Sequence, residues 1–254
     1  MAEPSLSIDR ILAETFVARA EHHPTLPSTN DRAAECADCP AEELPLLVVA
    51  ERQTAGRGRG SNRWWTGPGS LAFSLLLDRL QTPPASPLLG LAAAVSAVQA
   101  ARLHLPDHPL GLRWPNDVMA GDKKLAGVLV EVLANRRSVI GIGLNVNDPA
   151  AAAPKELRHR IATLLDLTGR EHDRTAIFIA VLRALAAALQ TLAAAPRQLA
   201  AEADGLCLQR GQELRLRHGR ETVEGVCAGI APDGALLLDT SDGRRAFHSG
   251  TIDG

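Results

Sequence analysis

The sequence predicts an α+β protein: a mixed, largely antiparallel sheet flanked by helices over residues 1–203, then a small β-barrel over residues 204–254. Three observations carry this reading. Short apolar β-type runs alternate with long Ala/Leu-rich segments of helical periodicity up to about residue 203. Beyond residue 206 the segments shorten, alternate in polarity and are separated by tight turns. With 46% apolar residues in a chain of 254, there is ample material for a packed core, in one large domain or two smaller ones.

The elements follow in order. Residues 5–15 read as a short amphipathic helix or turn, and Pro24, Pro27 and Ser28–Asp31 then interrupt regular structure. Leu46–Glu51 is a β-rich run that opens after Pro45, and Ser70–Leu77 is a second buried strand after Gly67-Pro-Gly69. Leu88–Leu103 has helical periodicity between Pro87 and Pro106. Leu112–Val118 reads as a strand or strand end. Leu125–Leu133 and Ser138–Val146 form a hairpin about Asn135-Arg-Arg137, and Ala150–Pro154 is a loop. Leu157–Leu167 and Thr175–Ala203 read as helices, the second broken at Pro196. Glu213–Arg217, Glu221–Ile230, Ala235–Asp239 and Arg244–His248 supply the barrel strands.

Composition narrows the function. A net charge of −2 with 22% charged residues gives no support to a general nucleic-acid or membrane-surface binder, so any phosphate binding must come from local placement of charge. There is no Lys/Arg-flanked apolar core at the N-terminus and no run of 18 apolar residues, so neither a secretory signal nor a membrane span is expected. Cys36-x-x-Cys39 has metal or redox spacing. Cys207 and Cys227 offer no matching pair, and the four read as ordinary reduced cysteines of a cytoplasmic protein.

The most informative stretch is Gln53–Trp65, which holds Gly56, Gly58 and Gly60 alternating with Arg57 and Arg59, then Arg63, Trp64 and Trp65. Glycines let the backbone bend closely around a ligand and expose its N–H groups, and guanidinium groups suit carboxylate or phosphate. The pattern lacks the Gly-Lys-Ser/Thr of a P-loop. Three other segments stand beside it. Ser28-Thr29-Asn30 offers hydroxyl and amide groups, though a helix N-cap or Asx turn explains it equally well alone. Arg113-Trp-Pro-Asn116-Asp117 precedes Lys124-Leu-Ala-Gly127; a β-turn and a surface lysine are the plain alternatives. Gly141-Ile-Gly143-Leu-Asn145 lacks the full fingerprint and following helix of a dinucleotide fold. All three tryptophans fall within these polar motifs, which points them toward a ligand site.

In this order, these motifs resemble those of the biotin protein ligases, over residues 20–147 by motif and to the C-terminus by pattern. The resemblance implies the class II synthetase-like biotin/lipoate ligase fold with an SH3-like C-terminal domain. It implies activation of biotin by ATP and Mg²⁺ to biotinyl-5′-AMP, then transfer to a lysine of a biotin carboxyl carrier protein domain. By the same resemblance Lys124, Arg59 and Asp117 are the catalytic residues. Ser28, Thr29, Asn30, Gln53, Gly56, Arg57, Gly58, Arg59, Lys124 and Gly127 would bind biotin. Arg57, Arg59, Trp64, Asn116, Lys124 and Asn145 would bind ATP, with Trp64 near adenine, and Asp117 would serve the Mg²⁺. The glycine loop would cover the reactive mixed anhydride and exclude water. Where relatives often carry a further arginine, two positions before Trp64, this chain has Asn62, with Arg63 beside it. Fewer than 30 residues precede Ser28, so a form without an N-terminal DNA-binding domain is expected, binding neither DNA nor membrane; a homodimer stays open. A lipoate or octanoate ligase shares the fold, but the Arg-Gly-Arg loop with Trp64 argues against it. Lys124, Asp117 and the complete loop argue against a biotin-binding module without turnover.

Overall fold

A computed structural model describes residues 6–78 and 87–253. Its large sheet has seven strands: β1 (Arg19–Leu26), β2 (Leu46–Gln53), β3 (Leu71–Leu77), β4 (Leu110–Arg113), β5 (Asp117–Ala120), β6 (Lys123–Val132) and β7 (Ser138–Leu144). They lie in the order β1-β2-β3-β7-β6-β5-β4. Only β1 and β2 run parallel; the other neighbours are antiparallel. The sheet is thus mixed and largely antiparallel, as the sequence predicts.

Alternation along the strands builds two apolar layers, because successive side chains point to opposite faces. Leu47 and Val49 of β2 join Leu71, Phe73 and Leu75 of β3 in the main core, while Leu46, Val48 and Leu76 face a smaller cluster with Ala33 and Val139. The main layer is covered by α3 (Pro87–Arg102), α5 (Arg174–Ala194) and α6 (Pro196–Gly205). Phe73 meets Phe178 of α5 with ring centroids 4.4 Å apart. The other layer lies under α2 (Thr29–Glu35). Among the described residues α5 alone is long and apolar enough to cross a membrane by length and composition. Its face bearing Ile177, Val181 and Leu185 is fully buried in this core.

Several elements depart from the sequence reading. β1 runs through Pro24, and α2 follows Pro27 at once, where an interruption was expected. β1 pairs only with β2, so a proline there removes no needed ladder bond. Ser28 caps α2, its Oγ accepting the Asp31 N–H. The predicted strand Leu112–Val118 is two strands, β4 and β5, folded about a turn at Trp114-Pro115-Asn116, with Trp114–Pro115 cis. The predicted helix Leu157–Leu167 is helical only as α4 (Leu164–Thr168). Its first half is instead drawn onto β6: the Lys124 N–H donates to Arg160 O at 2.8 Å and the Ala162 N–H to Lys124 O at 2.9 Å. The break at Pro196 occurs as expected, with proline opening α6 where its missing N–H costs nothing. The short N-terminal helix α1 (Ile8–Glu14) falls within the predicted 5–15, of which residue 5 lies outside the described residues.

The C-terminal strands β8 (Glu213–His218), β9 (Glu221–Ile230), β10 (Leu236–Thr240), β11 (Gly243–Phe247) and β12 (Thr251–Asp253) form a five-stranded antiparallel sheet ordered β11-β10-β9-β8-β12. β12, absent from the sequence reading, is a three-residue strand that returns to pair with β8. This unit is joined to the edge of the large sheet. The Leu112 N–H donates to Leu206 O (2.7 Å) and the Leu208 N–H to Leu112 O (2.9 Å), forming an added backbone tape along β4.

Candidate active site

The glycine loop is a small hairpin that leaves β2 and returns toward β3. Gly58 N–H donates to Asn62 O at 2.8 Å and Trp64 N–H to Gly56 O at 2.9 Å, with Gly60 at its tip in the left-handed region (φ 62°). A Cβ at Gly56 would strike the Trp64 carbonyl, so the close return needs glycine there. Asn62 and Arg63 are exposed on the hairpin. Below the loop lies an open pocket of about 1190 Å³. Every residue that the sequence reading assigns to the site lines this pocket.

One end is a closed hydrogen-bond network. Thr29 donates its N–H (2.8 Å) and hydroxyl (3.2 Å) to Gln53 Oε1, and Gln53 Nε2 donates to Thr66 Oγ1 at 3.2 Å. Ser74, buried on β3, lies 2.6 Å from Asn30 Oδ1 and 2.8 Å from Thr29 Oγ1. Asn30 Nδ2 donates to Glu131 Oε2 at 2.8 Å. Glu131 also takes both arms of Arg57, at 2.9 and 2.6 Å, and Arg57 reaches Asp31 at 2.7 Å. Burial pushes the Glu131 carboxyl up, but the hydrogen bonds from Arg57 and Asn30 outweigh it and hold the group below the usual carboxylate value. The Ser28 hydroxyl, which accepts from the Asp31 N–H, keeps its own proton for a ligand.

The other end is cationic and open. Lys124 Nζ lies 2.6 Å from Asp117 Oδ1 and 5.5 Å from the Trp64 ring centroid. Arg59 makes no ion pair or hydrogen bond through its side chain among the described residues. Burial lowers its pKa from the ordinary value and Asp117 acts against that, so a charged, half-buried guanidinium faces the pocket. The Trp64 indole packs close against Gly127 and Gly143, where a Cβ at either residue would meet it; its Nε1 is buried without a partner. Asn116 and Asn145 hold the frame. Asn116 Nδ2 donates to Val128 O at 2.5 Å, while Asn145 Nδ2 donates to Lys124 O (3.2 Å) and Ala162 O (3.0 Å). Asn145 thereby ties the Lys124 strand to the 160–162 segment, which also borders the pocket.

Two family models match the chain: the biotin/lipoate A/B protein ligase family over residues 23–147, and the biotin protein ligase C-terminal domain over residues 211–253. The biotin--[acetyl-CoA-carboxylase] ligase of Mycobacterium tuberculosis is 36% identical over 87% of this chain and 82% of its own length. The chain belongs to the biotin protein ligase family. The bifunctional ligase/repressor BirA of Bacillus subtilis is 33% identical, over 91% of this chain and 73% of its own length. The biotin protein ligase of Aquifex aeolicus in complex with biotin and ATP superposes with a TM-score of 0.81 at 29% identity, covering 92% of this chain and 97% of the other.

Some positions of the network and of the pocket lining are not legible in the sequence. Glu131, Asp31 and Ser74 complete the network and were missed. Ser74 carried a signal, as a serine within the apolar run Leu71–Leu77. The borders formed by residues 154–161 and by Gly250, Thr251 and Ile252 were also missed. All three tryptophans line the pocket, and Trp114 carries a structural role as well. It is 2% exposed, and its indole N–H donates to Gly234 O (3.1 Å) in the turn between β9 and β10, while its backbone N–H donates to Gln209 Oε1 (2.6 Å). It anchors the C-terminal sheet. Among the described residues no cluster of three or more metal-binding side chains occurs, and all four cysteines are free.

Proposed function

We propose that this chain activates biotin with ATP to biotinyl-5′-AMP, releases pyrophosphate, and transfers the biotinyl group to a lysine of a biotin carboxyl carrier protein domain. One observation carries the reading: a single pocket joins an end whose charges are paired within a hydrogen-bond network to an end with a guanidinium that has no partner among the described residues. Biotin has a neutral ureido head and an anionic carboxylate, and its carboxylate must meet a second anion, the α-phosphate.

Ser28, Thr29, Gln53 and the backbone around Gly56, Arg57 and Gly58 hold the ureido head. A biotin carboxylate oxygen attacks the α-phosphorus, the bond to the β-phosphate oxygen breaks, and pyrophosphate leaves with the electron pair. Lys124 and Arg59 offset the repulsion between the two anions and stabilise charge gathering at the α-phosphate. Asp117 orients the Lys124 ammonium. Trp64, on Gly127 and Gly143, supplies a face for the nucleotide. The acceptor amine then attacks the biotinyl carbonyl carbon, AMP departs, and the amine loses a proton. The Mg²⁺ that accompanies ATP would neutralise phosphate charge. Asp117 would serve it through water, in keeping with a hard cation that retains much of its hydration. In this reading residues 1–203 form the catalytic unit and 204–254 the C-terminal domain, and the free cysteines suit a reducing, cytoplasmic setting.

The test is biotin- and ATP-dependent labelling of a purified carrier domain, with pyrophosphate release followed in parallel. Absence of transfer by the wild-type chain would sink the reading, and undiminished transfer by Lys124→Ala would remove Lys124 from it. The loop's covering role has its own test. Arg59→Gly is expected to release the adenylate faster and to label bystander proteins more than the wild type does, and unchanged release would end that role.

A further inference from the structure

The Ser28-Thr29-Asn30 turn and the glycine loop are far apart in sequence, yet one carboxylate joins them. Glu131 lies on β6, seven residues beyond Lys124. Its Oε1 accepts from Arg57 at 2.9 Å; its Oε2 accepts from Arg57 at 2.6 Å and from Asn30 at 2.8 Å. Asn30 continues the chain to Ser74 on β3, at 2.6 Å. β7 lies between β6 and β3, and the line of contacts crosses it at Gly141, where a Cβ would collide with Asn30 Oδ1. Glu131, Asn30 and Ser74 therefore form a strap across three strands, and Arg57 is fastened to its end.

We propose that Glu131 is a positioning residue for the ureido end: it fixes the first half of the glycine loop against α2 and the sheet, and holds Arg57 away from the anion site. The inference rests on the ligase reading above and adds a division of labour within one loop. A bidentate arginine–carboxylate pair fixes orientation as well as distance, so Arg57 is committed to structure. Its backbone becomes a fixed wall beside the ureido head. Arg59, two residues on, is left as the guanidinium free to meet phosphate and carboxylate. Two guanidinium groups in one short loop are thus given separate tasks by a residue outside it.

The test compares Glu131→Gln, Arg57→Gln and the double variant in biotin-dependent pyrophosphate release. Each single variant is expected to raise the KM for biotin about tenfold, the scale of losing a charged hydrogen bond. For Glu131→Gln the ATP KM and kcat should stay within about twofold, the pattern of lost substrate positioning. The double variant should be no worse than either single, because both remove the same link. Amide hydrogen exchange on the ligand-free protein reads the link without turnover, and so separates failure of this inference from failure of the ligase reading. Glu131→Gln should speed exchange at Gly56–Gly58 and leave Gly60–Asn62 unchanged. The proposal is overturned by unchanged exchange at Gly56–Gly58, by an unchanged biotin KM in both single variants, or by multiplying effects in the double.

Discussion

The two ends of the pocket are built on opposite plans. At the end proposed for the ureido head, Thr29, Asn30, Gln53, Arg57 and Glu131 are cross-linked before any ligand arrives. At the end proposed for the phosphate, Arg59 has no partner among the described residues, Lys124 has one carboxylate, and the Trp64 indole N–H has none. A neutral ligand head gains from donors and acceptors already in place, since ordering them on binding would cost affinity. Two anions brought into contact need positive charge not already neutralised by the protein. One pocket therefore holds a preset half and a half that its substrates complete.

This contrast can be broken most sharply by Lys124→Ala. It should lower kcat for adenylate formation by about 10²–10³, the scale of losing one preset charge donor, and leave the biotin KM within a few-fold. Rapid-quench measurement of adenylate checks both quantities. A comparable loss of kcat from a ureido-end substitution would erase the distinction.

Gly141→Ala is the matching change at the preset end. The new Cβ displaces Asn30 and with it the contacts to Ser74 and Glu131. The biotin KM should rise about tenfold or more while ATP binding is retained, reflecting partners left unpaired in a buried site. Titration calorimetry with each ligand checks this, and an equal loss of both ligands would show that the two ends are not separable.

The smallest effect is one of pH. Arg57 and Asn30 hold the Glu131 carboxyl below its usual value, so the link is complete at and above the ordinary carboxylate range. It is lost as pH falls through the lowered, folded-state value. The difference in biotin affinity between the wild type and Glu131→Gln, in which protonation of biotin's own carboxyl cancels, should therefore stay constant through the ordinary carboxylate range and shrink only below it. Loss of that difference already complete within the ordinary range would contradict the proposed link.

Much of this was legible in the sequence, for reasons that differ by element. β2, β3 and the β6–β7 hairpin are apolar runs between breakers, and each appears close to its predicted place. β1 was hidden because it lies at the sheet edge and carries Arg19, Glu21, His22 and His23 with a proline, so no alternating apolar face marks it. The 157–163 segment has helical composition, but pairing with Lys124 and the Asn145 amide overrides local preference. Ser28 shows two readings holding together, since it caps α2 and lines the pocket. Glu131 was invisible because its partners lie 74 and 101 residues away, a relation that only the folded sheet creates.

The backbone tape at Leu206–Leu208 has a consequence for the behaviour of the protein in concentrated solution. An uncovered strand edge is a template on which another chain can add itself and begin an aggregate. The tape covers this edge at β4, and the opposite edge, β1, is guarded by its charged residues and by Pro24. Losing the hold of Trp114 on Gly234 would loosen the tape and bare β4, turning a docking contact into a starting point for self-association.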